Sequence, residues 1–477
     1  MEPFECSGHW YLPDAGESPV PGILRVTGRG EMRLSLIGSL GPNDKMQGEK
    51  RFPIILGSVD GPLGSVITLV TCFRTRARFG SFASVREEYL AHRGLFGAHF
   101  RSKADLAFRR LQMRVSGLCT WANSLSGFRR VHFHPDEREA APLLNYSMPD
   151  SVVGSVPNGE ISLEFMLNES STLRGFAHTE EPAFSVTSET PLSEGELNER
   201  FLAPLQNLMT FACDAPQAVE GVSLWREDIL APFDENPEIK VVGARVFPEK
   251  EDRSAEDVHP PQLLFTLADV EPDFGSFIQR WLRLTETYAD ACNIYFGLQY
   301  APPAFLDLTF AGVVQSLCLY YTRRTDGVDR HMQEEHRLGG ILSRLGGEDA
   351  DWIRSRLGVR PYPLPQDALT VLLTEHAEVM GPLLRRDATG FVNEVTNTLF
   401  YVLWRDPEAG IVASRGADLH WMTARLRILM KLCILKELAF STEKIKAMFR
   451  SNSLFLHIAH LTLTQREEAA LAVRPSD

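Results

Sequence analysis

The apolar residues of this chain change their period once, near Pro272, and that change limits the available folds more than any motif does. Before it the period is close to two. Residues 22–40 hold two alternating runs split by Thr27-Gly28-Arg29-Gly30-Glu31, which predicts a hairpin. Further strands are expected at 52–56, 65–79, 126–134, 160–167, 239–247 and 262–270, separated by Gly, Pro, Asn and Asp clusters. A single helix is expected among them, over 193–211, because Leu197, Phe201, Leu205 and Leu208 are helically spaced. With so few helical crossovers, the strands should pair antiparallel.

After Pro272 the period is helical: Phe277, Trp281, Leu284, Tyr288, Ala291 and Tyr295 step by three or four and form one stripe. Helices are expected at 305–324, 333–344, 366–380, 389–404, 418–439 and 441–450, with Asp406-Pro407 stopping the one before it. The expected architecture is α+β: a mainly antiparallel β region over 1–265, an all-α bundle over 270–463, and a disordered polar tail over 464–477. The boundary falls in or just after the charged, proline-rich stretch 249–261.

Composition excludes some classes. A chain that is 44% hydrophobic and 23% charged is neither disordered nor fibrous. Residues 1–130 hold 18 basic and 11 acidic side chains, whereas 131–270 hold 8 and 26, so any polyanion contact belongs at the ends of the chain. Seven cysteines, an odd number with no CxxC, read as free thiols of a reducing compartment. With no basic and apolar leader at the N-terminus and no run long enough to span a bilayer, the protein is expected in the cytoplasm, away from membranes.

Walker A, GxGxxG, HExxH and GxSxG patterns are absent, and neither a cofactor nor a metal is expected. His132 and His134 could supply half a metal site, but no third ligand lies nearby, and an exposed strand end is the simpler reading. Arg74, Arg76 and Arg78 alternate along a strand and so should share one face, either to bind a polyanion or as plain solvated surface.

Several segments resemble ApeA-type anti-phage defence proteins. At the N-terminus these are Phe4, Gly8, Trp10, Leu12-Pro13-Asp14, Val20–Leu24 and Leu36–Leu40, followed by Ile54–Gly57, Leu69–Cys72 and Gly97–Phe100. The helical part is similar to an ApeA-type HEPN domain through Trp281, Val314–Leu317, Val395–Thr398, Asp406-Pro407-Glu408, Leu426–Leu429 and Lys436–Ser441. The resemblance implies a dimeric helical bundle and metal-independent cleavage of RNA by an Arg and a His. The His would move protons and the Arg would stabilise the phosphorane. In the family this segment reads Asn-Thr-Arg-Asn-Tyr, two variable residues, His, then an acidic-proline step. Here it reads Asn397-Thr398-Leu399-Phe400-Tyr401-Val402-Leu403-Trp404-Arg405-Asp406-Pro407. Leu399, Phe400 and Trp404 stand where Arg, Asn and His are required, and none of the three titrates near neutrality or carries a cation.

The expected function is therefore that of a defence-related sensor, scaffold or pseudo-nuclease that binds RNA or a phage or host protein and forms a homodimer or heterodimer through the HEPN domain. One alternative is an active endoribonuclease with displaced residues, Arg405 and His420 foremost. Another is a structural partner that regulates an intact HEPN protein.

Overall fold

The computed structural model describes residues 3–13, 19–28, 30–41, 51–62, 65–79, 85–131, 143–172, 175–226, 239–242, 262–301, 305–325, 337–345, 347–357, 364–385 and 387–472. The chain divides into two compact units: residues 1–260 with 265–279, and residues 261–264 with 280–477. The fold is α+β, antiparallel β first and helical afterwards, as the change of period requires.

The first unit contains β1 (Phe4–Tyr11), β2 (Val20–Val26), β3 (Met32–Ile37), β4 (Arg51–Asp60), β5 (Val66–Phe79) and β6 (Val85–Phe96). These six close a barrel in the order β6-β3-β2-β1-β4-β5, with β5 returning to β6. The predicted hairpin joins β2 to β3. Gly30 N–H donates to Thr27 O (2.8 Å), and Gly30 adopts φ 76°, a left-handed conformation that glycine takes without a Cβ penalty. Leu24, Val26, Met32, Leu34 and Leu36 alternate inward and pack with the buried Trp10. Gly57 lies flat against the indole of Trp10, where any Cβ would overlap the ring.

From β6 the sheet continues through β14 (Ile239–Val242), β13 (Val219–Trp225), β7 (Ala107–Val115), β12 (Gly175–Ser193) and β11 (Gly159–Thr172) to the edge strand β10 (Val152–Val156). β8 (Phe128–Val131) and β9 (Leu143–Tyr146) form a separate pair. α1 (Leu118–Trp121) is one short turn. The helix expected over 193–211 is α2 (Glu194–Leu197), a π-turn, and α3 (Ala203–Ala212). The π-turn absorbs the step between two apolar faces.

The strand expected over 262–270 does not form. Leu263, Leu264, Phe265, Leu267 and Val270 are all buried, so the segment has no alternation. Thr266 and Asp269 instead make a capping box, with Thr266 N–H donating to Asp269 Oδ2 (2.8 Å), and the chain turns into helix. α4 (Phe274–Thr287) follows, and its Gln279 Nε2 donates to Ser155 O (2.6 Å) on edge strand β10. That contact occupies a group which an open sheet edge would otherwise present.

The second unit holds α5 (Ala289–Tyr300), α6 (Leu306–Arg324), α7 (337–342), α8 (Gly347–Leu357), α9 (Pro365–Glu375), α10 (Ala377–Met380), α11 (Ala388–Trp404), α12 (Pro407–Val412), α13 (Gly416–Glu437), α14 (Thr442–Ser451) and α15 (Ser453–Ala472). α13 is the central helix, buried almost all round from Leu419 to Leu435, and it packs against α6 and α9. α15 continues to Ala472, so the segment expected as a disordered tail is helical over most of its length. Glu467-Glu468-Ala469-Ala470-Leu471 are strong helix formers, which explains the continuation. No helix among the described residues is long and apolar enough to cross a membrane.

Candidate functional site

α11 carries the degenerate motif. Its first turn is capped by Asp387, whose Oδ1 accepts from Gly390 N–H (3.0 Å). It ends at Arg405, held at φ 54°, and Asp406 immediately caps α12 by accepting from Glu408 and Ala409 N–H (both 2.9 Å). The Asp-Pro step thus turns the chain sharply and leaves the last turn of α11 open on one side. Thr398 is buried and accepts from Ser414 N–H (3.0 Å), while Ser414 Oγ donates to Glu394 Oε1 (2.6 Å), which fixes the segment after α12 against α11.

The three motif positions separate. Leu399 is buried, whereas Phe400 and Trp404 are 43% and 64% exposed and pack ring to ring at 5.3 Å. Helical geometry demands this, because residues five apart lie about 140° around the axis, while positions four apart share a face. Leu403, Ile411 and Val412 are exposed in the same stretch of chain. Arg405 Nη2 pairs with Asp307 Oδ2 (3.1 Å), which ties the end of α11 to the first turn of α6, where Phe305 and Leu308 are also open. The result is an exposed apolar surface built from three helix ends.

The displaced candidates do not meet. Arg405 is engaged by Asp307 and lies over the Tyr401 ring at 5.1 Å; Arg415 covers the same ring at 4.4 Å. His420 packs edge-on against Trp421 (4.8 Å), whose ring also meets His457 (5.1 Å). Among the described residues, no contact joins Arg405 to His420.

The three arginines of β5 are also separated. Thr75 is an extra residue in the ladder: Arg74 lies opposite Tyr89, and Arg76 lies opposite Glu88, the very next position of β6. Arg74 therefore turns inward while Arg76 and Arg78 stay exposed. Inside, Arg74 Nη1 donates to Glu87 Oε1 (2.9 Å), and Glu87 Oε2 accepts from Tyr89 Oη (2.7 Å) and Leu40 N–H (3.2 Å). Burial, first, and then the Glu87 carboxylate push the Tyr89 phenol upward, so it stays a donor.

A second polar constellation, absent from the sequence reading, lies in the helical unit. Tyr320 and Tyr288 both donate to Glu437 Oε1 (2.6 and 3.2 Å). Glu375 binds the Arg324 guanidinium through both oxygens and accepts from Lys436 Nζ (3.2 Å). His376 is buried beside them with no partner for Nε2, and burial holds its imidazole down at about 4. This network clamps the ends of α6, α9 and α13.

Nothing here resembles an activated nucleophile. Six of the seven cysteines are buried or half-buried, and burial pushes Cys6 up to about 11 and Cys72, Cys213, Cys292 and Cys318 up to about 12. No group of three or more potential metal ligands occurs among the described residues. His132 and His134 lie outside them.

Comparison with known families gives one match. The family model described as ApeA N-terminal domain 1 covers residues 5–281, more than half of the chain, and ends two residues beyond Gln279, where the first unit closes. No curated protein and no solved structure matches the chain.

Proposed function

Because the chain belongs to the ApeA family, we propose that it is an anti-phage defence protein whose helical unit, of HEPN type, binds a partner instead of cleaving RNA. One observation carries this reading: at the positions that need an Arg and a His, Leu399 is buried in the unit and Trp404 stands open beside Phe400. An exposed aromatic pair flanked by Leu403, Ile411 and Val412 is the composition of an interface centre, not of a phosphoryl-transfer site.

The partner best suited to this surface is a protein. Both nearby guanidiniums are occupied, Arg405 by Asp307 and Tyr401, and Arg415 by Tyr401 and the Gly410 carbonyl (3.0 Å), so little unpaired positive charge remains for a nucleic-acid backbone. A second helical unit of the same type, in a homodimer or heterodimer, would cover the apolar side chains with like surface.

The decisive test is incubation of purified protein with labelled RNA in the absence of metal. The expected result is no cleavage above a heat-treated control. Robust cleavage that disappears in Arg405→Ala or His420→Ala protein would overturn the proposal in favour of a displaced active site.

A further inference from the structure

A cavity of about 480 Å³ opens in the helical unit beside the first residues of α11, roughly 24 Å along that helix from Trp404. Its volume falls within the range of about 300–1,000 Å³ typical of small-molecule sites. Leu373, Met380 and Leu384 give it apolar walls, and Arg385 stands at its polar end. Gly381 lines it too, and a Cβ built there meets nothing within 4 Å, so the space reaches the backbone.

The charge around Arg385 is unusual. Its guanidinium pairs with Asp418 Oδ1 at 3.0 Å, but both partners are about half exposed, and an ion pair of that kind holds weakly. Behind it lies Arg425, which is 5% exposed and bonds only to uncharged groups: Nε donates to Leu383 O (2.6 Å) and Nη2 to Thr462 Oγ1 (3.0 Å). A buried guanidinium without a bonded carboxylate is rare, because desolvating an unpaired cation is costly. Burial lowers Arg425 to about 10, and the neighbouring Arg385 pushes it the same way. Asp387, the other charged group at the cavity, is committed to capping α11. Glu394 is hydrogen-bonded by Ser414 Oγ.

The geometry points to a binding site for a small amphipathic anion, its apolar body between Leu373, Met380 and Leu384 and its acidic head on Arg385 in place of Asp418. Arg425 takes no part in direct contact. It holds the Leu383 turn that forms one wall, and its unneutralised charge favours an anion at Arg385 over a neutral group.

Decanoate and 1-decanol, titrated by calorimetry into the full chain, test this. Decanoate should bind with 1:1 stoichiometry and at least about tenfold more tightly than decanol, the worth of one charge-assisted hydrogen bond. Arg385→Gln should weaken decanoate about tenfold and leave decanol unchanged. Asp418→Asn, which removes the competing carboxylate, should tighten decanoate. Gly381→Leu should abolish binding of both by filling the space. The two surface variants, Arg385→Gln and Asp418→Asn, keep the test valid should Gly381→Leu fail to fold. The proposal is overturned if decanoate does not saturate, if it binds no better than decanol, or if binding is indifferent to Arg385→Gln and Asp418→Asn. Binding that survives Gly381→Leu would place the ligand on exposed apolar surface elsewhere and would likewise overturn it.

Discussion

The two units treat apolar and polar surface in opposite ways. Among the described residues, 5 large hydrophobic side chains are exposed in the first unit and 14 in the second, although the second is the shorter. The barrel turns its apolar residues inward and hides an ion pair among them; the helical unit clamps its helix ends with polar groups and leaves Phe400, Trp404, Phe305 and Ile411 in the open. Closed sheets have no spare edge or face and can stand alone. A helical unit with this much uncovered apolar area is built to be completed by something else.

The largest expected effect tests the closed character of the barrel. Arg74 and Glu87 are 7% and 1% exposed at their side chains, so removing the cation strands a buried carboxylate. Arg74→Met should cost about 3–5 kcal/mol in urea unfolding followed by β-sheet circular dichroism. Arg76→Met and Arg78→Met, on the outer face, should each stay within about 0.5 kcal/mol. Equal effects for all three would mean that the Thr75 bulge does not separate them.

The next test addresses the polar clamp of the helical unit through pH. His376 titrates at about 4 in the folded chain against an ordinary value of 6.5, with burial the main cause and Lys436 the second. Between these values the unfolded chain takes up a proton that the folded chain refuses. The stability His376 protects is therefore complete above about pH 6.5 and is lost as pH falls towards 4. The linked loss is about 3 kcal/mol. Helical circular dichroism during urea unfolding should show it as a pH slope in the wild type that is shallower in His376→Phe, where only the carboxylates remain to titrate.

Trp404→Ala follows, at about 2 kcal/mol of association free energy if this residue anchors an interface. Sedimentation should show the wild type self-associated and the variant shifted towards monomer, with helical content unchanged because the side chain is exposed. A wild type that stays monomeric at high concentration would remove self-association from the proposed function. A variant that unfolds would return Trp404 to the core of its own unit.

What the sequence disclosed and what it hid divide along the same physical line. The β2–β3 hairpin was legible because its inner positions are uniformly apolar and its turn carries the required glycine. β6 was not, since its inward positions include Glu87 and Tyr89, which erase the alternation. β12 was hidden by its run of Glu, Ser and Thr, some of which are buried under neighbouring strands. The split between Leu399 and Trp404 follows from 100° per residue and needs no tertiary information. The bulge at Thr75 depends on the partner strand and leaves no local trace. Glu437 receives its two phenols from positions 149 and 117 residues away, a pairing no window of sequence contains.

The smallest expected effect concerns the basic edge of the barrel. With Arg74 buried, a polyanion face on β5 reduces to Arg76 and Arg78, with the exposed Arg86 opposite Arg78 on β6. Like charges facing each other across a ladder repel, so this arrangement costs a few tenths of a kcal/mol unless an anion lies between them. The double variant Arg76→Ala/Arg78→Ala should therefore be as stable as the wild type or slightly more so. If the face binds an anionic partner, heparin affinity chromatography should elute the variant at lower salt, and its binding should depend less steeply on ionic strength. An unchanged elution position would make the pair ordinary solvated surface. The apolar surface of the helical unit would then be the stronger remaining candidate for contact with another macromolecule.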